Sequence, residues 1–166
     1  MIARLVTCLA TCVVIVVGSW LHGAGAAAEA PARTRPHWDW PIAPAATVRP
    51  YVAPDTPYGR GHRGIDLVAT AGTVLRMPFD GQVSFVGRVV DRTVVTVTDG
   101  SEWSLSMEAV ESNLSIGDRI SRGSVLGHVT VGPHCTCLHV GVRWRGMYVN
   151  PLLVFDSIPR AILLPW

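Results

Sequence analysis

Apolar and polar positions along this chain fall into two regimes. Residues 5–17 (LVTCLATCVVIVV) are a run without a charge, preceded by Arg4, and the uncharged stretch reaches Leu21. From Thr73 onward the apolar positions come in short runs mixed with polar ones, as in strands with one buried face. Thr73–Arg76, Gln82–Val86, Thr93–Thr98, Glu102–Met107, Ser124–Val131 and Leu138–Arg143 each read as a strand, and Ile120 marks another. Thr93–Thr98 (TVVTVT) is β-branched throughout, which suits a pleated surface. Turns punctuate these runs at Asp80-Gly81, Asp99-Gly100, Gly117-Asp118, Arg122-Gly123 and Arg145-Gly146. Asp99-Gly100 predicts a hairpin. No window of a dozen residues carries a helical apolar stripe. The pattern predicts an all-β or β-rich domain with antiparallel strands.

The first apolar run has a different meaning. A positive start, a short apolar stretch and the small residues of Gly23–Ala30 (GAGAAAEA) predict a signal peptide over residues 1–28, cut near Ala28 or Ala30. The expected localisation is then secreted or cell envelope. The run is short for a bilayer span of ~20 residues; an uncleaved anchor is the alternative, and membrane contact is expected only in that case. Residues 29–47 are a Pro/Ala-rich arm whose prolines forbid a helix. Trp38 and Trp40 are too apolar to leave in water, so order is expected from about His37. A folded domain over residues 48–157 and a tail over 158–166 complete the division.

Composition narrows the function. Apolar residues make up 49 % and charged residues 16 % of the 166 positions, which excludes disorder for most of the chain. The net charge of +2 gives no case for nucleic acid, which requires a clustered basic face. All 14 basic residues are Arg, so Lys nucleophiles, Schiff bases and phosphate-loop lysines are excluded.

The chemistry offered is His and carboxylate. His62 and Asp66 lie four residues apart, a spacing that on extended backbone turns both to one side. His139 lies in the apolar strand Cys137–Val142, where a His needs a reason. Two His and one Asp make a zinc set with an open fourth position, suited to hydrolysis. Export would leave Cys135 and Cys137 as the cysteines of the mature chain. They either close a tight Cys-x-Cys disulfide or leave Cys137 as a thiolate on the metal.

Gly61-His62-Arg63-Gly64-Ile65-Asp66-Leu67 resembles the first motif of the lysostaphin/LytM-type zinc endopeptidases, peptidase family M twenty-three, which cut peptidoglycan cross-bridges. Further motifs follow in order: Pro78-Phe79-Asp80-Gly81-Gln82-Val83, the segment from Ile116-Gly117-Asp118 to Leu126-Gly127, Cys137-Leu138-His139-Val140-Gly141-Val142-Arg143, and Tyr148-Val149-Asn150-Pro151. The Trp-Pro arm and the cysteine in the last His motif look most like a secreted actinobacterial branch. The resemblance spans about residues 38–156. It implies a compact antiparallel β core of the duplicated-hybrid-motif type, with a groove across a Zn2+ held by His62, Asp66 and His139.

The resemblance also exposes departures. Active members carry two further His near the metal. One is the first His of an H-x-H motif, where this chain has Cys137. The other aligns with Ala109, or with Met107 on a shifted alignment, and no His occurs between His62 and His128. His134 is the candidate to compensate, as a catalytic residue. Glu108 adjoins the missing His and could be a general base, but strand alternation would turn it away from its neighbour's side, which favours an exposed charge. Arg63 either holds a carboxylate or is a solvated charge. His37 is expected at the surface and His128 in a structural role, while His22 leaves with the signal. Two readings follow: a secreted zinc metalloendopeptidase acting on peptidoglycan peptides, or a catalytically impaired domain that binds the wall or regulates another wall hydrolase.

Overall fold

The computed structural model describes residues 35–56, 58–132 and 136–155. The signal segment, His134, Cys135 and the tail lie outside the described residues. Antiparallel pairing dominates, as the turn-punctuated pattern predicts. One sheet runs β1 (Thr47–Arg49), β2 (Ile65–Val68), β10 (Cys137–Trp144), β6 (Trp103–Glu108), β5 (Arg92–Thr98), β4 (Gly81–Val89) and β8 (Arg119–Ile120), with β11 (Met147–Val149) also paired to β10. A second sheet runs β3 (Val74–Arg76), β9 (Val125–Val129) and β7 (Val110–Glu111). The short 3-10 helix η1 (Pro151–Leu153) follows β11 and starts from an Asn150 side chain that accepts from Leu152 N.

Local chemistry explains the joints. Gly100 adopts φ +81 between β5 and β6, and the Asp99 carboxylate accepts hydrogen bonds from Ser101, so the expected hairpin forms there. Arg145 and Gly146 both take positive φ between β10 and β11, the requirement of a two-residue hairpin turn of the primed type.

The main sheet has two unlike faces. Ile65 and Leu67 of β2, Leu138, Val140 and Val142 of β10, Leu105 and Met107 of β6, and Val95 and Val97 of β5 are fully buried. Burying one such side chain stabilises by about 1.5–3 kcal/mol. The second sheet adds Leu75, Val110, Leu126 and Val129 to the same core. By alternation, Asp66, His139, Glu108, Ser106, Ser104, Thr96 and Thr98 occupy the opposite face.

The arm contributes to this core. Trp38 is 2 % exposed; it stacks on Phe79 at 4.3 Å and meets Trp103 and Phe155 edge-on. Ile42 is buried too. His37 is exposed, as expected.

Candidate metal centre

Asp66 and His139 are direct partners across the β2–β10 ladder. Such partners carry Cβ atoms about 4.5–5.5 Å apart on one face. Nδ1 of His139 accordingly reaches Oδ1 of Asp66 at 2.7 Å. His62 arrives differently from the continuous extended stretch that its spacing suggests. It forms a two-way backbone bridge with Val52, at 2.8 and 3.0 Å, and the chain bends through Arg63 and Gly64 before β2 begins at Ile65. The bend brings Nε2 of His62 to 3.1 Å from Asp66 Oδ1 and 3.2 Å from His139 Nδ1.

Gly64 makes this bend possible. A Cβ there would lie 2.3 Å from the Val140 carbonyl oxygen and 2.7 Å from both Cε1 and Nε2 of His139. Only a residue without a side chain can pass over the imidazole this closely.

Counting protons shows what the cluster can hold. Nδ1 of His62 lies 2.7 Å from the Pro50 carbonyl oxygen. A carbonyl only accepts, so Nδ1 carries a proton and Nε2 is the nitrogen turned toward Asp66 and His139. Nδ1 of a neutral His139 has one proton at most, for Asp66 or for His62. With both rings neutral, the 3.1 Å contact between His62 Nε2 and Asp66 Oδ1 sets two lone pairs against each other, a conflict that a proton on His62 or a metal cation relieves. A central cation turns all three contacts into ligand bonds. Tetrahedral ligands about 2.1 Å from zinc lie roughly 3.4 Å apart, near the 2.7–3.2 Å found here. Among the described residues, these three form the group able to hold a metal, with donor atoms within 4.8 Å of one another. Two imidazole nitrogens and one carboxylate oxygen fit zinc and leave a position for substrate. Burial pushes the Asp66 carboxyl up, but hydrogen bonding from His139 and the charge of both imidazoles outweigh it and hold the carboxyl below its ordinary value.

The other sequence candidates are distributed around this centre. His134 lies outside the described residues. Cys137 is buried and disulfide-bonded, so a thiolate on the metal does not describe this state. His128 is exposed on β9, opposite Val74 and Glu111. Arg63 donates to the Gly59 carbonyl at 3.0 Å. Met107 is fully buried in the core, and Ala109 has φ +62 just beyond β6.

Glu108 corrects an expectation. It pairs with His139 across the β10–β6 ladder, so it shares the face of Asp66 and His139. Alternation does turn Glu108 away from the side of Met107, but Met107 faces the core, and the side that Glu108 takes is that of the metal cluster. The signal lay in β6 itself, where polar Ser104, Ser106 and Glu108 alternate with buried Leu105 and Met107.

Comparison with known proteins agrees with this architecture. Uncharacterized proteins of Mycobacterium tuberculosis and Mycobacterium bovis are each 32 % identical to this chain over 129 residues, covering 72 % of the chain and 52 % of the relative. The chain thus spans about half the length of the curated relatives it matches. A zinc-containing peptidase from Vibrio cholerae shares the fold with TM-score 0.59 and 17 % identity, over 70 % of this chain and 39 % of that one. So does a structure of the SpoIIIAH and SpoIIQ complex, with TM-score 0.60 and 17 % identity, over 70 % of this chain and 98 % of that one. The model of peptidase family M23 matches residues 60–151, and the chain belongs to that family.

Proposed function

We propose that this chain is a secreted zinc metalloendopeptidase of the cell envelope that cuts peptide cross-links of peptidoglycan. The observation that carries the reading is the convergence of three potential ligand atoms on His62, Asp66 and His139, 2.7–3.2 Å from one another. When bound, zinc supplies Lewis-acid polarisation of a scissile carbonyl and acidifies water. The chain's own part is orientation: the Pro50 carbonyl fixes the tautomer of His62, and the β2–β10 register fixes Asp66 against His139. His134 is the proposed assisting His. The amino-terminal signal would deliver the domain to the wall. Digestion of purified sacculi with the zinc-loaded protein, followed by muropeptide analysis, tests the reading. It expects shortened cross-links, lost in His139→Ala and reduced in His134→Ala. Intact cross-links with zinc fully bound would overturn it.

The second reading is a wall-binding or regulatory domain. Its support is the disulfide on Cys137, at the position where active members of the family carry a His. A fold neighbour solved in complex with another protein is consistent with it. Sedimentation of the protein with sacculi, without release of peptides, would favour this reading.

A further inference from the structure

One rung of the main sheet places three ionisable side chains abreast. Asp66 is the partner of His139 on one side, and Glu108 is the partner of His139 on the other. All three project from the face opposite the core. Strands are spaced about 4.8 Å apart, so the two carboxylate-bearing positions flank the imidazole at roughly 9.6 Å. The two carboxylates have different surroundings. Asp66 is 8 % exposed and spends its oxygen on both imidazoles. Glu108 stands outside the three-residue cluster and is partly exposed, with Oε2 accepting from Arg92 NH1 at 2.8 Å. Arg92 also reaches Asp91 at 2.9 Å, so the guanidinium that steadies Glu108 is itself held at the β4–β5 turn.

We infer that Glu108 is a catalytic residue of this site, the carboxylate that carries the proton during peptide hydrolysis, oriented by Arg92. The inference rests on the peptidase reading above. As the oxygen of water bonds to the scissile carbonyl carbon, one of its protons passes to the Glu108 carboxylate. That proton then moves to the leaving nitrogen as the carbon–nitrogen bond breaks. The second proton of the water leaves with the product carboxyl group, and Glu108 returns to its starting state. A carboxylate suits the task because it only accepts while ionised and donates once protonated. Glu108 shares a rung and a face with a proposed ligand, so it stands on the side of the sheet from which substrate would approach His139. An ion pair serving only the fold would show a different signature, since cutting it from either end would do the same harm.

The test uses the full zinc-loaded chain carrying Glu108→Gln, Arg92→Gln or, as a control, Glu111→Gln on the second sheet. Two readouts are taken. One is cleavage of sacculi. The other is the affinity for acetohydroxamic acid, a zinc-directed probe with a proton to share with the carboxylate. Glu108→Gln is expected to lower kcat by about 10²–10⁴-fold with little change in KM, and to weaken acetohydroxamate about tenfold with zinc stoichiometry kept. Arg92→Gln is expected to cost much less in kcat, and Glu111→Gln nothing. If wild-type protein cuts no wall substrate but the hydroxamate effect appears, contact of Glu108 with a metal-bound ligand is supported, while the peptidase reading, and with it the catalytic role, falls. If Glu108→Gln leaves both readouts unchanged, or if Arg92→Gln matches its loss of activity, the assignment of Glu108 is overturned.

Discussion

The Pro50 carbonyl oxygen lies 2.7 Å from Nδ1 of His62. The contact ties a segment rich in proline to an imidazole of the candidate metal centre. It fixes which ring nitrogen carries hydrogen and aims the other at Asp66 and His139. Such outer partners of metal ligands typically govern affinity by 10–100-fold.

The Val52–His62 bridge holds this carbonyl in place, because Val52 N donates to His62 O at 3.0 Å. Val52→Pro removes that donor, and the Val52 side chain is itself mostly exposed. The substitution is expected to cost about 1 kcal/mol of stability and to weaken zinc binding by roughly tenfold. Val52→Thr keeps the donor and is expected to do neither. Competition with a chromophoric chelator, together with urea unfolding, checks both effects.

Gly64→Ala sets a methyl group against the Val140 carbonyl and the His139 ring. Overpacking of this kind costs about 1–3 kcal/mol, and relief would come by displacing His139 from Asp66. The expected result is a folded protein with substoichiometric zinc, read by metal analysis after gel filtration. A full equivalent at undiminished affinity would show that the backbone shifts instead of the ligand.

Val90 sits in the two-residue connection between β4 and β5 with φ +57 and is 91 % exposed. A β-branched residue in this left-handed region is strained by roughly 1–2 kcal/mol. Asn tolerates the conformation, so Val90→Asn is expected to raise stability by about 1 kcal/mol with no effect on the metal centre. Urea midpoints compared at fixed slope measure it.

What could be read in the sequence followed from side-chain pattern. Strands β5 and β6 announce themselves by alternation, and Asp99-Gly100 marks their hairpin. Asp66 and His139 stand out because a carboxylate and an imidazole interrupt otherwise apolar strands. What could not be read is carried by backbone groups and by register. The Pro50 carbonyl has no residue-type signature, and Val52 finds His62 through main-chain atoms alone. Strand β1 lies beside prolines at 44 and 50 and pairs over few residues, too short a stretch for alternation to show. The face that Glu108 takes follows from the alternation of Ser104, Ser106 and Glu108 with Leu105 and Met107, but its pairing with His139 is set by the register between β6 and β10 and has no local signature.

The proposed metal centre requires His62, Asp66 and His139 together to hold one zinc ion. Titration of the metal-free protein with zinc, with bound metal counted by mass spectrometry, tests it most directly. One equivalent is expected in the wild type, none in His62→Ala or His139→Ala, and weakened binding in Asp66→Asn, whose amide oxygen is a poorer ligand than a carboxylate. A full tightly bound equivalent in the triple variant His62→Ala, Asp66→Ala, His139→Ala would contradict it.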